Sequence, residues 1–394
     1  MIYILYRVIY FMAHMTDYIK EYGGYTFDEK PFNEVDNLIF SQLAYVDYAG
    51  IVAGFDSDVE TSLPRAAELF WSLHSEDEME DDLSIVRKAA YLLRECAEAK
   101  RFKGTTLLRY VNNVNTRIDK QFSAVNFYLD DGTALIAFRG TDSSLTGVKE
   151  SAMLSYMFPV PAQIEALYYF QETASLSRRK VRVCGHSKGG NLAVFAAVSC
   201  SNSLKKNIIA VYEDDAPGFP KEMIERYDYL QMKDRIFSFV PEDSVIGCLL
   251  EHNSSTKIVK SENDGLKQHQ ASSWLVENDH FVYADARNER SLFVEKYIKK
   301  LLQDVGPENI ENVFETLFGF FEDAGITDYE SLKDIDLTSL IRAFSSIKGI
   351  TEEERKLIEQ TLRLAFADFS RMIYKEKIAS RIKKIDEILG RNED

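Results

Sequence analysis

The residues best suited to chemistry lie in the segment VRVCGHSKGGNLAVFAAVSC, where Gly185 and Gly189 flank Ser187 at the spacing GxSxG. A β-branched run precedes the motif and an alanine-rich stretch follows it, which predicts a sharp turn from a strand into a helix. Such a turn lifts the serine hydroxyl above the sheet, and the helix N-terminus suits a developing oxyanion. Ser187 is therefore predicted to be a nucleophile, and the alternative is a serine that only caps the helix.

A serine hydroxyl needs a base, which is commonly a histidine oriented by an acid. The chain has six histidines. His14 and His74 precede the predicted core, and His186 lies inside the motif, where its side chain is expected to point away from the nucleophile. His269 is the predicted base because it lies in a Gly-containing loop after the strand-like run TKIVKS. His252 precedes that run and is expected at its opposite end.

The predicted acid is Asp243, in the segment PEDSVIG that follows the strand-like run IFSFV. The carboxyl ends of parallel strands meet at one edge of a sheet, so this carboxylate is expected near the imidazole. The same argument leaves three competing acids open, namely Glu242, Asp214 and Asp215. Either of the last two would come from the end of the preceding strand, in VYEDDAPGFP.

Two backbone N–H groups are predicted to form an oxyanion hole. The first belongs to Lys188, directly after the nucleophile, because that position begins the helix. The second belongs to Thr141, because the run ALIAFRGTDSS predicts a strand that ends in a glycine and then this residue. Thr141 as a simple turn residue is the alternative.

The elements around these residues alternate between strands and helices. Asp131-Gly132 predicts a hairpin turn between two apolar strands at a sheet edge. The runs VRVCG, NIIAVYEDD, IFSFV and TKIVKS are separated by stretches of helix length, which predicts a parallel sheet with crossover helices. The acidic run 75–82 predicts a solvated loop. Apolar spacing predicts helices over 33–48, 63–73, 83–99, 162–174, 293–302, 310–324, 337–346 and 352–388.

Length and charge restrict the organisation and the partners of the chain. Its 394 residues exceed what a single core usually contains, so an appendage or a second domain is expected. We predict a helical part over 1–104 packed on the core, an α/β core over 105–285 and a C-terminal helical region over 286–394. The net charge of −16 argues against a nucleic-acid partner.

The cysteines and the N-terminus indicate the compartment. Four cysteines show no metal-ligand spacing and lie in apolar surroundings, so buried thiols and a reducing, cytoplasmic location are expected. No metal or organic cofactor is predicted. The apolar start MIYILYRVIYFMAHM is too short to span a bilayer. Met15 is one candidate for the true start, and the alternatives are a short membrane-surface anchor and an ordinary packed segment.

Taken together, these motifs resemble the class 3, fungal-type lipases of the α/β-hydrolase superfamily, through FRGT at 138–141 and GHSKGG at 185–190. The chain is more similar to bacterial lipase-like proteins of unknown function. They share a GHSKGGNLA elbow, a DAPGF stretch, a D-S-V-x-G segment and a Gln-His pair before a Trp, found here at 185–193, 215–219, 243–247, 268–269 and 274. The resemblance spans about residues 16–285. It implies an α/β-hydrolase fold with Ser187, Asp243 and His269 as the triad.

Two features depart from the lipase pattern. Lys188 lies where classical lipases usually carry a small or apolar residue, and no long apolar lid is evident between Asp142 and Pro159. The segment SYMFPVPA at 155–162 is either a short apolar lip or an ordinary loop. These departures speak against interfacial action on insoluble fat.

The predicted function is hydrolysis of a small acyl ester, a lipid or another, through an acyl-enzyme on Ser187. A rival hypothesis is a binding or scaffold module with an idle pocket, whose helical ends engage a partner. A base too far from Ser187 would favour that rival. A thioesterase or a peptidase on the same triad is a third hypothesis, since the triad alone does not choose the bond. The sequence does not indicate contact with a membrane surface, and it does not define an oligomeric state.

Overall fold

The strands of the described part of the chain form two sheets. The computed structural model describes residues 13–76, 79, 85–142, 144–323 and five positions between 351 and 359. The strands are β1 (Thr61–Ser62), β2 (Thr106–Asn115), β3 (Lys120–Tyr128), β4 (Ala134–Phe138), β5 (Val181–His186), β6 (Ile208–Asp214), β7 (Ile236–Pro241), β8 (Ser255–Val259), β9 (Val276–Glu277), β10 (His280–Phe281) and β11 (Tyr283–Ala284).

The larger sheet has nine strands in the order β1-β2-β3-β4-β5-β6-β7-β8-β11. Strands β1 to β4 pair antiparallel, β4 to β8 pair parallel, and β11 closes the far edge antiparallel to β8. The second sheet contains β9 and β10. Because β4 to β8 run in one direction, their carboxyl ends share one edge of the sheet.

The described part of the chain contains helices that pack on the two faces of the large sheet and helices that follow it in sequence. They are α1 (Met15–Tyr22), α2 (Glu34–Leu43), α3 (Leu63–Leu73), α4 (Ile85–Glu98), α5 (Lys100–Lys103), α6 (Leu145–Met153), α7 (Pro161–Leu176), α8 (Lys188–Ser199), α9 (Asn202–Lys205), α10 (Lys221–Ile224), α11 (Tyr227–Met232), α12 (Glu289–Val305) and α13 (Pro307–Asp323). Side-chain caps start several of them. The side chain of Asn33, for example, accepts the N–H groups of Val35 and Asp36 at the start of α2.

Strand β4 shows how one sheet serves two hydrophobic cores. All five of its residues are buried, and alternate side chains point to opposite faces. Leu135 and Ala137 join the core formed with α1 to α5. Ile136 and Phe138 join the core formed with α7, α8, α10 and α11. The result is a three-layer α/β architecture, which confirms the predicted α/β class.

The predicted hairpin is confirmed, but its predicted place in the sheet is wrong. Gly132 has a φ of 77°, and Leu129 and Asp131 hydrogen-bond around the turn between β3 and β4. The pair does not lie at an edge, because β2 covers β3 and β1 covers β2. The pairing of β1 involves only two residues, which is too short to leave a pattern in the sequence.

Two helices follow the sheet, where periodicity predicted them. α12 and α13 contain the predicted segments 293–302 and all but the last residue of 310–324. The helices predicted at 337–346 and most of 352–388 lie outside the described residues, as do Met1 and most of the acidic run 75–82. The boundaries of the three predicted domains stay a prediction. None of the described helices is both long and apolar enough to cross a bilayer.

Candidate active site

Ser187 lies on the predicted turn between β5 and α8. Its backbone is strained, with φ 59° and ψ −134°, and its N–H donates to the carbonyl of Asp214 at 2.9 Å. Glycines are required at positions 185 and 189 because neighbouring backbone atoms leave no room for a Cβ. A Cβ on Gly185 would lie 2.2 Å from the carbonyl carbon of Gly189, and one on Gly189 would lie 2.1 Å from the carbonyl oxygen of Phe138. Close helix packing thus fixes the hydroxyl at the carboxyl edge of the sheet.

The structure brings His269 to Ser187, as the sequence predicted. Nε2 of the imidazole lies 3.0 Å from the serine Oγ. Ser187 is 8% exposed, and the His269 side chain is 23% exposed. His269 ends a short 3₁₀ turn, Gly265–His269, which lies in the loop after β8. The pair therefore has the geometry for transfer of a proton from the hydroxyl to the ring.

The acid beside His269 is Asp215, which was one of the competing candidates. Its Oδ2 lies 2.6 Å from Nδ1 of the ring, and the carboxylate is buried. Its Oδ1 accepts the hydroxyl of Ser244 and, at 3.0 Å, the N–H of Gly247. A Cβ on Gly247 would lie 2.4 Å from that oxygen, so a glycine is needed there. The D-S-V-x-G segment thus holds the acid without supplying it.

Asp243, the predicted acid, contacts a different part of the same loop. Its Oδ2 accepts the N–H of Gly265 at 2.8 Å and the guanidinium of Arg290 at 2.6 Å. Its own N–H donates to the side chain of Gln268 at 2.7 Å. It makes no hydrogen bond to His269. The assignment of Asp243 as the partner of the imidazole is corrected, since these contacts place it as a support for the loop that carries the base.

His186 also supports the base, a role that sequence reasoning missed. Its Nε2 lies 2.8 Å from the carbonyl oxygen of His269, so this nitrogen carries a proton and donates. Its Nδ1 lies 3.1 Å from the hydroxyl of Tyr45 and accepts from it. Burial lowers the pKa of His186 to about 3, which keeps the ring neutral. The prediction that this side chain points away from Ser187 gave no hint of the contact with His269.

The two predicted oxyanion donors lie close to the serine. Gly140, one residue before Thr141, lies so near that a Cβ on it would be 3.1 Å from Cβ of Ser187. The Thr141 hydroxyl hydrogen-bonds to Ser151 on α6, which fixes the loop. Lys188 is the first residue of α8, so its N–H belongs to the unpaired donors of a helix N-terminus. Both N–H groups thus belong to segments that adjoin the hydroxyl.

The side chain of Lys188 is buried and ion-paired. Its Nζ lies 2.7 Å from Oε2 of Glu150 on α6, and both side chains are at most 1% exposed. It also donates to the backbone and side-chain oxygens of Gln121 at 2.8 and 2.7 Å. Glu150 in turn accepts the N–H groups of Gln121 and Ala162. The unusual lysine of the motif therefore joins α8, α6, β3 and the start of α7.

The segment 155–162 runs beside this edge of the sheet and leaves two apolar side chains partly open. Met157 and Phe158 are each 37% exposed. The Phe158 ring meets Phe195 of α8 and Phe219 of the loop after Asp215. The Phe158 ring is thus part of an apolar rim between α8, which follows Ser187, and the loop that follows Asp215.

A second buried carboxylate lies next to the acid. Both oxygens of Asp214 accept the side-chain amide of Asn37 on α2, at 2.9 and 3.0 Å. Burial raises the pKa of Asp214 to about 8. In the described part of the chain, no group of three or more His, Cys, Asp or Glu residues is arranged to hold a metal ion. His252 lies near Glu213, away from Ser187.

The fold and the hydrogen-bonded chain of Ser187, His269 and Asp215 define a broad class, that of α/β proteins with a polar site at the carboxyl edge of the sheet. The family comparison gives a more specific assignment. The model of the Mbeg1-like family matches residues 96–319, and the chain belongs to this lipase-like family. The matched region contains every residue of the hydrogen-bonded chain.

Comparisons with solved structures and with curated proteins add little to this family assignment. Two solved structures of the Rhizomucor miehei lipase propeptide complex, the native form and a deletion mutant, are each 14% identical with a TM-score of 0.32. The alignments cover 49% and 54% of this chain, and 66% and 67% of the lipase chains. This chain thus spans just under two thirds of the native lipase chain. No curated protein matches the sequence.

Proposed function

We propose that this chain is a serine hydrolase of the α/β-hydrolase fold, related to the class 3 lipases, that cleaves carboxylic esters of small acyl substrates. One observation carries the proposal. The imidazole of His269 lies 3.0 Å from the Ser187 hydroxyl on one side and 2.6 Å from the Asp215 carboxylate on the other. A serine in such a chain has the base and the oriented ring that nucleophilic attack requires.

The mechanism proceeds through an acyl-enzyme. Ser187 Oγ attacks the ester carbonyl while His269 Nε2 takes the hydroxyl proton, and the N–H groups of Thr141 and Lys188 bind the oxyanion. The ring then gives its proton to the departing alkoxide, which leaves as the alcohol. Water, deprotonated by the same nitrogen, then attacks the acyl-enzyme. The ring returns this proton to Ser187 Oγ as the bond between Oγ and the acyl carbon breaks, and the carboxylic acid is released. Asp215 holds the ring and stabilises its positive charge throughout.

The burial of the site supports a preference for small, monomeric esters. The serine is 8% exposed, and Met157 and Phe158, each 37% exposed, belong to a short apolar rim beside the helix that carries it. That rim suits the acyl chain of a single substrate molecule. Large apolar patches, by contrast, mark surfaces that dock on lipid.

Labelling with a fluorophosphonate probe tests the proposal, followed by turnover of a panel of p-nitrophenyl esters of increasing chain length. We expect the wild-type protein to be labelled and Ser187→Ala to be unlabelled. The matched control is Ser203→Ala, which removes an exposed serine and should label like the wild type. If a folded, monodisperse wild-type sample is not labelled, the enzyme proposal fails and the binding-module hypothesis takes its place.

A further inference from the structure

A cavity of about 230 Å³ lies beside the loop that carries the base. One wall consists of Gln270, Ala271 and Ser272, which directly follow His269. The remaining wall residues come from the N-terminal helices α1, α2 and α4: Met15, Thr16, Gln42, Lys88, Ala89, Tyr91, Leu92 and Glu95. The cavity is smaller than the ~300–1,000 Å³ of typical ligand clefts, so it suits a small molecule.

A larger cavity of about 520 Å³ does not compete for this role. Its lining residues come from 233–239 and 253–257, around the amino ends of β7 and β8. The serine lies at the carboxyl ends of the parallel strands, which is the opposite edge of the sheet. Of these two cavities, the smaller one lies beside the segment that directly follows His269.

Two polar groups in the wall of the smaller cavity have no partner within the part of the chain described. Gln42 is only 7% exposed, and its Nε2 makes no hydrogen bond. The buried Oε2 of Glu95 also makes none. Buried polar atoms are nearly always hydrogen-bonded in proteins, so unpaired atoms on one small cavity point to a missing ligand group. One of these atoms is a donor and the other belongs to a carboxyl group.

The chemistry of these two groups selects the ligand. A hydroxyl group both accepts and donates, so it satisfies an amide N–H and a carboxylate oxygen at once. An ionised ligand carboxylate has no donor for Glu95 Oε2, and a ligand ammonium has no lone pair for Gln42 Nε2. Apolar contact is available from Met15, Ala89 and Leu92. We propose that this cavity binds a small aliphatic alcohol whose hydroxyl bridges Gln42 Nε2 and Glu95 Oε2.

An alcohol held here would lie against the segment that positions the base. Ala271 lies in the cavity wall, two residues after His269. Gln270, also in the wall, pairs through its Oε1 with Lys88 at 3.2 Å. Alcohols are also the leaving groups of ester hydrolysis, so the site would sense a product of the reaction. This second part of the inference rests on the proposed function, whereas binding of the alcohol does not.

Binding of 1-hexanol to the full-length Ser187→Ala protein, followed by ligand-observed NMR, tests the proposal without any turnover. We expect saturable binding that weakens about tenfold in Gln42→Leu, which keeps the apolar volume and removes one hydrogen bond. Glu95→Leu removes the carboxylate that would accept the hydroxyl proton of the ligand, so it should weaken binding to a similar extent. Gln231→Leu makes the matched change at an exposed position and should leave binding unchanged.

Ligand class and location are tested by further measurements on the same protein. Hexanoate and hexylamine should bind more weakly than hexanol. Hexanol should shift the ring signals of His269, and a bound protein without that shift would overturn the link to the base. Absence of binding at the solubility limit of hexanol, or equal binding by Gln42→Leu, would overturn the site itself.

The competing occupant is the chain's own apolar segment 1–12. It is tested with a variant that begins at residue 13. Equal hexanol binding by this variant and the full-length protein supports the proposal. Binding that appears only after the segment is removed would assign the cavity to the chain itself and overturn the proposal.

Discussion

The contacts of two aspartates at the carboxyl edge of the sheet suggest different roles for them. The Asp215 carboxylate binds the imidazole, and the Asp243 carboxylate binds Gly265 and Arg290. On the proposed mechanism, the first contact orients a ring that exchanges protons with the Ser187 hydroxyl. The second fixes a loop whose position also depends on Gln268 and His186. Substitution of the two aspartates should therefore affect catalysis to different extents.

We expect Asp215→Asn to lower kcat for a p-nitrophenyl ester by about 10⁴-fold, because asparagine at this position stabilises the wrong tautomer of the ring. Asp243→Asn retains an oxygen for the N–H of Gly265 and should cost about tenfold or less. Steady-state kinetics of the two variants, with circular dichroism to check folding, measure the difference. Equal losses in kcat, or a greater loss in Asp243→Asn, would return Asp243 to the role of the acid.

The sequence predicted which serine and which histidine lie together at the carboxyl edge of the sheet, but not which aspartate contacts the imidazole, for a physical reason. Asp215 and Asp243 both follow parallel strands that end at the same edge, so strand periodicity places both near the imidazole. What separates them is the fold of the segment after β7, where Ser244 and Gly247 turn toward Asp215. Such a choice depends on contacts across 29 and 32 residues and leaves no periodic pattern.

At the scale of elements, the pair formed by Lys188 and Glu150 joins the helix that carries Ser187 to α6, the helix that contacts Thr141. Both side chains lie out of contact with water. The loss of one partner would leave a buried charge with no counterion. A neutral pair would remove that charge, but the N–H groups of Gln121 and Ala162 would still need an acceptor at position 150. The pair is therefore expected to govern stability and the position of the Lys188 N–H, not proton transfer.

Lys188→Met should lower the free energy of unfolding by about 3 kcal/mol or more, because Glu150 stays buried and unpaired. Combining it with Glu150→Gln should recover part of that loss, because the neutral amide keeps an oxygen for a buried N–H group. Urea unfolding of the two single variants and the double variant measures the coupling. The exposed pair Lys221 and Glu225 provides the matched control, since its disruption should cost less than about 1 kcal/mol. Strictly additive losses at Lys188 and Glu150 would contradict the prediction.

The sequence predicted the parallel strands and most of the helices, but it missed how these elements are joined. Lys188 is an ordinary exposed residue type, and its burial is decided by Glu150 on a helix 38 positions earlier. The edge of the sheet was misplaced because β2, the ten-residue strand that covers β3, was not predicted. A shift of register between Leu108 and Val111 interrupts the alternation of its side chains. Elements with long apolar repeats were predictable, and those held by single polar contacts were not.

At the scale of the whole molecule, the N-terminal helices support the site from one face of the sheet. Asn37 of α2 donates to Asp214, and Tyr45, just after α2, donates to His186. The region matched by the family model begins at residue 96. These supports therefore come from outside the matched region, and the sequence motifs did not reveal them. The prediction placed the helical part over 1–104 on the core, but it did not indicate which of its side chains reach the site.

The buried carboxyl group of Asp214 should make stability depend on pH. Its pKa is raised to about 8 in the folded protein from 3.8, so between these values the folded state binds more protons than the unfolded state. The contribution of Asp214 to the free energy of unfolding is therefore greatest below pH 3.8 and is lost as the pH rises through about 8. In the middle of that window, the loss is about 1.4 kcal/mol per pH unit. Because Asn37 of α2 contacts the Asp214 carboxyl group, this pH dependence requires α2 to be packed on the sheet.

We expect wild-type stability, relative to that of Asp214→Asn, to fall between pH 6 and pH 8. Urea denaturation across this range measures the difference. Asp285→Asn removes a carboxylate from an exposed position and should run parallel to the wild type. A relative stability of Asp214→Asn that is flat with pH would mean that Asp214 is already ionised in the folded protein.

The order of the strands along the chain also determines when each residue of the site is synthesised. Ser187 and Asp215 follow adjacent strands, β5 and β6, whereas His269 comes 54 residues after Asp215. A ribosome adds those residues in about 3–11 s at ~5–20 residues per second. During that interval the nascent chain contains a serine and an acid but no base. On the proposed mechanism, the emerging polypeptide therefore has no esterase activity until nearly the whole sheet has been synthesised.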